Sequence, residues 1–258
     1  MSGAGPEAAA EWLAALWRRG AQAEALPEAL RPATLEQGYD IQDRLVAALG
    51  ERVAGWKLGV GSPKGRAQTG IDRSIAGRVL GSRCFGPDDT VPLPDAAPIT
   101  VEFEIAYVLA REVRPEAPPP ESLGDLIAET RVTFELVRSR FRDRTAVGWP
   151  SFAADNAAFE ALVVGERIDP ARLDELAASL VVSVNGEERA RAVSGGDFTD
   201  PESALRGFLA LARERGMVLP AGAIISTGTL SAPFAMQGAA EIRARYLGTE
   251  LAFRTRLA

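Results

Sequence analysis

The spacing of apolar residues divides the chain into a helical start and a strand-rich remainder. From Pro6 to Arg19 the sequence is alanine-rich, and Trp12, Leu13, Leu16 and Trp17 share one face of a helix. A second helix is predicted from about Leu35 to Leu49. Thr34 and Gln37 have capping-box spacing, and Ile41, Leu45 and Val46 recur at the helical period. From Gly55 to about Leu109 short apolar runs are separated by Gly81-Ser82, Pro87-Asp88-Asp89 and Pro92/Pro94, which suits strands and loops. Arg114 to Pro120 carries four prolines and reads as a surface loop. A short helix is expected near Leu123 to Glu129 and a strand over Arg131 to Phe141. Leu180 to Val184 reads as a strand entering a tight Asn185-Gly186 turn. A helix opens at Pro201, capped by Asp200, with Leu205, Phe208, Leu209 and Ala212 facing inward. Ile224 to Ser226 and Ile242 to Arg254 are strand-like, and no internal repeat is present. The expected fold class is α+β, a helical amino-terminal region over 1–54 and a β-rich body over 55–258.

One strand departs from a plain alternation. Val101, Phe103, Ile105, Tyr107 and Leu109 form an apolar face, while the opposite face begins with Glu102 and Glu104 and continues through Ala106, Val108 and Ala110. Both faces are therefore largely buried, and two like charges sit side by side at one end. Neighbouring unpaired anions there would raise each other's pKa at a cost in stability, which a divalent cation removes. The alternative is a wet strand end whose glutamates pair with arginines.

Composition narrows the chemistry. At 258 residues, 47% hydrophobic, the chain is long enough for one large domain or two small ones. Its net charge is −6, and its basic residues are scattered apart from Arg138 to Arg144, so no nucleic-acid footprint is present. With no membrane-length apolar run, no signal-peptide pattern and one cysteine, Cys84, a cytoplasmic protein is expected. There is no histidine, which excludes Ser-His-Asp triads, Cys-His dyads and nearly every catalytic zinc site. Acid–base work falls to a carboxylate, a lysine, a tyrosine or a metal-bound water. A metal held only by carboxylates should be a hard one, Mg²⁺ or Mn²⁺.

Other residues could join such a site. Glu135 lies inside the apolar run Thr133 to Val137, where it is either edge-exposed or the third carboxylate of a facial site. Lys57, between Trp56 and Leu58 in a short glycine-bounded run, either snorkels to the surface or neutralises carboxylate charge and handles a proton. Gly59 to Gly65 matches neither phosphate-loop pattern, so nucleotide binding is rejected there. Arg138 to Arg144 is a solvated loop or a grip on an anionic substrate. Ser226-Thr227-Gly228-Thr229-Leu230 suits a carboxylate-binding turn, or simply a turn.

In this order, the motifs resemble the fumarylacetoacetate hydrolase superfamily, and within it the 2-keto-4-pentenoate hydratase and 4-oxalocrotonate decarboxylase group. Gly55 to Gly59 matches G-[YWL]-K-[ILM]-G, Val101 to Val108 matches V-E-x-E-I-A-[FY]-V, and Glu135 to Arg140 matches E-[IVL]-x-x-S-R. Ala154 to Ala157 matches A-D-N-A, Val182 to Glu187 approximates V-x-x-x-G-E, and Ser226 to Leu230 matches the late S-G/T-G-x-L. The resemblance implies a distorted mixed β-roll with outer helices, a homo-oligomer, and Mg²⁺ or Mn²⁺ held by Glu102, Glu104 and Glu135. It implies catalytic roles for Lys57, Asp72 and Asp155, and substrate contacts at Gly59, Arg140, Asn156, Thr229 and Leu230. The implied substrate is a small 2-oxo or 2-hydroxy-dienoic acid of aromatic-compound catabolism. Hydration is the expected reaction and decarboxylation the alternative. A complex with another enzyme of the pathway would fit too, as would, with less support, an acylpyruvate hydrolase or an impaired scaffold. Two positions depart from the pattern: Ile75 stands where hydratases carry a second aspartate, and Ala158 where a serine is usual.

Overall fold

A computed structural model describes residues 5–95 and 97–258. The two amino-terminal helices form as α1 (Pro6–Arg18) and α2 (Leu35–Leu49), the latter capped by Thr34 Oγ1, which accepts the Gln37 N–H at 3.2 Å. The chain continues through β1 (Val53–Gly59), α3 (Pro63–Thr69), β2 (Ile75–Leu80), β3 (Cys84–Phe85), β4 (Thr90–Leu93) and β5 (Ile99–Leu109). Next come β6 (Ile127–Val137), α4 (Gly148–Ala154), β7 (Phe159–Ile168), α5 (Leu173–Ser179), β8 (Val181–Val184) and β9 (Glu187–Arg191). The close is α6 (Pro201–Glu214), β10 (Ile224–Thr229), β11 (Phe234–Met236), β12 (Ala240–Tyr246) and β13 (Thr249–Leu257).

These strands make two mixed sheets. The larger runs β2-β1-β10-β5-β6-β7-β3, with β11 also paired to β5, and the smaller runs β4-β13-β12-β8-β9. In the larger sheet β2 and β7 touch although they stand near opposite ends of the order, so the sheet curls into a half-barrel. The odd-numbered face of β5 explains the stacking. Val101, Phe103 and Ile105 bury against Ile242, Tyr246 and Phe253 of the smaller sheet, while Tyr107 and Leu109 join the core beneath α6. The even-numbered face, with Glu102 and Glu104, therefore turns to the other side of the sheet. Outside, α1 and α2 share an apolar cluster with Phe141 and Ala154.

The structure corrects part of the pattern reading. The helix expected near Leu123 to Glu129 is a single 3₁₀ turn, Gly124–Leu126; Ile127 and Glu129 belong to β6 and pair with Leu109 and Val108. Pairing with the long β5 satisfies backbone groups that a helix there would leave unmet, and it overrides local preference. The same strand ends at Val137 rather than Phe141, because the Arg138 N–H turns to the Ala158 carbonyl at 2.8 Å. Ile242 to Arg254 is a hairpin, reversed at Leu247-Gly248. No helix among the described residues is long and apolar enough to cross a membrane.

The backbone of β2 is pressed closely on the face it shares with Lys57. A Cβ added to Gly77, which pairs with Lys57, would stand 2.4 Å from the Asn156 carbonyl oxygen. Gly77→Ala should therefore cost about 2–3 kcal/mol in urea unfolding, since the obstacle is backbone and cannot rotate away.

Candidate metal centre

The centre is assembled by strand register. Glu102 lies opposite Glu135 across β5 and β6, Glu104 opposite Thr133, and Lys57 opposite Ser226 across β1 and β10. Glu102, Glu104 and Glu135 each offer a carboxylate oxygen, and the three atoms lie within 4.8 Å of one another. Glu104 and Glu135 are fully buried and Glu102 half-buried, so the trio has one open side. Lys57 is buried too, with Nζ 2.8 Å from Glu135 Oε1. This contact is a buried ion pair to one oxygen, and Glu135 Oε2 has no donor among the described residues.

Glu104 sits in a cradle. Its Oε2 accepts the Ser226 hydroxyl at 2.5 Å and the Gly228 N–H at 3.4 Å, and Ser226 Oγ stands 2.8 Å from Thr133 Oγ1. The β10 register slips between Ser226 and Thr229, and Gly228 adopts φ 108°, a value open to glycine. That bulge turns its N–H toward the carboxylate. The turn read from the sequence as carboxylate-binding thus binds the protein's own Glu104. Ser226 and Gly228 lie in the segment read as a carboxylate-binding turn or simply a turn, while Thr133, one hydroxyl in an apolar run, gave no such signal.

The electrostatics are those of crowded, dry acids. Burial, then the charges of Glu135 and Glu102, push Glu104 well above its ordinary 4.5, against the Ser226 hydrogen bond and the Lys57 charge. Burial lifts Glu135 to about 7, with Lys57 opposing and Glu102 adding to the rise. Glu104 Oε1 and Glu135 Oε2 have no donor among the described residues. Convergent, donor-free carboxylate oxygens with an open side fit a hard divalent cation.

The other residues read as site members divide. Gly59 stays beside the centre, since a Cβ there would be 3.5 Å from Lys57 Nζ. Thr229 pairs with Glu104 in register, but its hydroxyl donates to the Ser231 carbonyl at 2.5 Å, and Leu230 is buried in the core between the sheets. Asp72 is on an exposed loop, 3.6 Å from Arg73. Arg140 and Asp155 are joined to each other. Asp155 accepts Arg140 Nε at 2.6 Å, the Arg140 N–H at 2.9 Å and the Ser139 hydroxyl at 2.7 Å. The guanidinium also binds the Asp155 and Phe159 carbonyls and stacks 4.2 Å from the Trp17 ring. Asn156 is committed to the Arg78 backbone through both its amide oxygen, 2.6 Å, and nitrogen, 2.8 Å. Arg140 and Asp155 thus form a buried clasp whose polar groups face one another. A larger cavity of about 550 Å³ lies beside Tyr39 and Arg215, away from the trio. Its arginines are already matched, Arg215 by Asp40 and Asp43 and Arg73 by Glu214.

Two outcomes follow. A carboxyl that titrates near 4.5 unfolded and near 7 folded keeps its proton longer in the native state, so stability falls as pH rises through that window, by a loss on the order of 3 kcal/mol. In EDTA the wild-type Tm should drop more between pH 5 and pH 8 than that of Glu135→Gln. At pH 8 a divalent cation should raise the wild-type Tm and leave the variant's nearly unmoved. Asp155→Ala should cost about 3 kcal/mol in denaturant unfolding, because it leaves the buried Arg140 with only the longer pairing to Glu160, at 3.5 Å.

Comparison with known proteins gives the family and the fold. Residues 80–249 match the family described as "Fumarylacetoacetate (FAA) hydrolase C-terminal". The chain is 31% identical over 230 residues to a protein named 2-keto-4-pentenoate hydratase from Paraburkholderia phymatum, covering 87% of this chain and 86% of the relative. It is 29% identical over 213 residues to a 4-oxalocrotonate decarboxylase from a Pseudomonas species, covering 81% and 82%. The fold superposes on the 4-oxalocrotonate decarboxylase of Pseudomonas putida G7, solved with magnesium and adipate, with a TM-score of 0.83 at 24% identity over 98% of this chain and 97% of that one. The curled sheet, the strand-borne acids and these matches agree, and the chain belongs to the fumarylacetoacetate hydrolase family.

Proposed function

We propose that the protein is a metal-dependent lyase that adds water to a 2-hydroxy-2,4-dienoic acid, of the 2-oxopent-4-enoate type, giving a 4-hydroxy-2-oxo acid. One observation carries the reading: three convergent carboxylates, two of them fully buried, beside a buried lysine, in a chain 31% identical to proteins named for that hydration. Glu102, Glu104 and Glu135 would hold Mg²⁺ or Mn²⁺. Such an ion, when bound, supplies a Lewis acid for the C1 carboxylate and C2 oxygen of a 2-oxo acid and favours its enolate form.

The chain's own groups do the remaining work. Ser226 and the Gly228 N–H fix one oxygen of Glu104 and leave Oε1 free to face the centre. Lys57 Nζ offsets part of the trio's negative charge and is the buried ammonium from which a proton can pass to the dienol. Hydration needs a proton at the far carbon and water at the next. The buried floor of β1, β10, β5 and β6 shields the enolate end from unwanted protonation.

Decarboxylation is the second reading, favoured by Ile75. This residue is buried in the core where the related hydratases carry an acid, so that acid is missing for proton movement. In that reaction a distal C–C bond breaks, its electron pair enters the conjugated 2-oxo system, CO₂ leaves and a proton takes its place. Either reading carries a homo-oligomer in the cytoplasm and is compatible with a complex with another enzyme of the pathway.

The test is turnover of 2-hydroxypenta-2,4-dienoate and 2-oxohex-3-enedioate with Mg²⁺, Mn²⁺ or EDTA, following the dienol chromophore together with CO₂ release. Metal-dependent consumption of either, abolished by Glu104→Gln, is the expected result. Lys57→Met should lower kcat about 100-fold with metal affinity retained. Silence toward both acids would overturn the lyase reading.

A further inference from the structure

We propose that Thr133 and Ser226 act together as positioning residues that bias the carboxylate centre toward a small octahedral cation, Mg²⁺ or Mn²⁺, and against Ca²⁺, by limiting Glu104 to one free oxygen; this rests on the metal-dependent reading above. Ser226 Oγ lies within hydrogen-bond distance of Glu104 Oε2, at 2.5 Å, and of Thr133 Oγ1, at 2.8 Å. A serine hydroxyl has a single proton to give, and an ionised carboxylate only accepts. The Ser226 proton therefore goes to Glu104, and Thr133 supplies the proton between the two hydroxyls. The result is a one-way chain from Thr133 through Ser226 to Glu104, in which each donated bond strengthens the next. All three residues are fully buried, and strand register holds them. Thr133 stands opposite Glu104 across β6 and β5, while Ser226 is paired with Ala106 on β5 and with Lys57 on β1.

The two buried carboxylates are treated alike. On Glu104 one oxygen is held by Ser226 while Oε1 has no donor, and on Glu135 one oxygen is held by Lys57 at 2.8 Å while Oε2 has no donor among the described residues. Each thus offers the centre a single oxygen, with half-buried Glu102 at the open side. Ion size turns that arrangement into discrimination. Ca²⁺ takes about six to eight oxygens in a flexible geometry and accepts both oxygens of one carboxylate, whereas Mg²⁺ demands a near-ideal octahedron, uses few carboxylate oxygens and keeps several waters. Turning Glu104 to offer both oxygens would break a charge-assisted hydrogen bond and leave the buried Ser226 hydroxyl without its acceptor. Lys57 also offsets charge, but the hydroxyl pair is uncharged and fully buried, so setting the Glu104 carboxylate is the work left to it.

Calorimetric titration of the EDTA-treated, dialysed protein with Mg²⁺ and with Ca²⁺ tests this without substrate. The ratio of the Ca²⁺ Kd to the Mg²⁺ Kd should fall about tenfold in Ser226→Ala and about threefold in Thr133→Val, with Mg²⁺ binding weakened and Ca²⁺ binding kept or strengthened. Thr133→Ser, which restores the hydroxyl, should stay within about twofold of the wild-type ratio. The ratio decides the matter, because a residue that only supports the fold would weaken both cations together. A ratio unchanged in Ser226→Ala overturns the selectivity role and leaves the lyase reading standing. Should Ser226→Ala fail to fold, Thr133→Val, close in shape to the native side chain, answers alone, and a wild-type ratio there overturns the role equally. If the wild type binds neither cation, the lyase reading falls with it.

Discussion

The structure depends on keeping like charges together in a dry place. Glu104 and Glu135 are fully buried, and their pKa values are raised chiefly by burial, with neighbouring carboxylates adding to the strain. One ammonium, Lys57, cannot balance three acids, and a protein built for stability alone would put apolar side chains at these positions. The excess charge is what makes the place a cation site. Everything nearby reads as provision for it: a lysine that offsets one charge, a hydroxyl pair and a bulged glycine that hold one carboxylate oxygen, and a half-exposed Glu102 at the open side.

Register makes this provision possible. Four strands from distant parts of the sequence, β1, β10, β5 and β6, lie side by side in the larger sheet. Because side chains alternate, Glu102 and Glu104 share a face, and pairing brings Glu135 and Thr133 opposite them. A one-residue slip of β6 would send Glu135 into the core between the sheets and bring Phe134 or Leu136 to the cation site. The aromatic packing of Phe103, Phe134, Tyr246 and Phe253 on the reverse side therefore fixes the register on which the carboxylates depend.

Much of this was legible in the chain because period-two patterning is a strong signal over eleven residues. The E-x-E strand, the amino-terminal helices and the α6 cap could be read directly. The short helices α3, α4 and α5 were not read, since brief elements carry too few periods to stand out, and β7 was not read because FEALVVGERI carries no regular apolar–polar alternation. The apparent helix at Leu123 to Glu129 was lost to strand pairing. Site roles were less legible than site members. A motif match places Arg140, Asp155 and Asn156 near the chemistry, but only coordinates show that their polar groups are spent on one another and on the Arg78 backbone.

That clasp has its own logic. Asn156, Ala157 and Ala158 adopt φ of 53°, 50° and 58°, three successive left-handed residues without a glycine, an arrangement that costs about 1–2 kcal/mol per residue. Such a run persists only where its surroundings over-determine it. Asp155 is anchored by Ser139 and Arg140, and Asn156 by both backbone groups of Arg78. The strained turn in turn presses its Asn156 carbonyl against Gly77, the residue paired with Lys57. The ADNA segment thus reaches the centre through β2 and the placement of Lys57. Ala158 is buried within that packing, so a missing hydroxyl there leaves no polar group to satisfy.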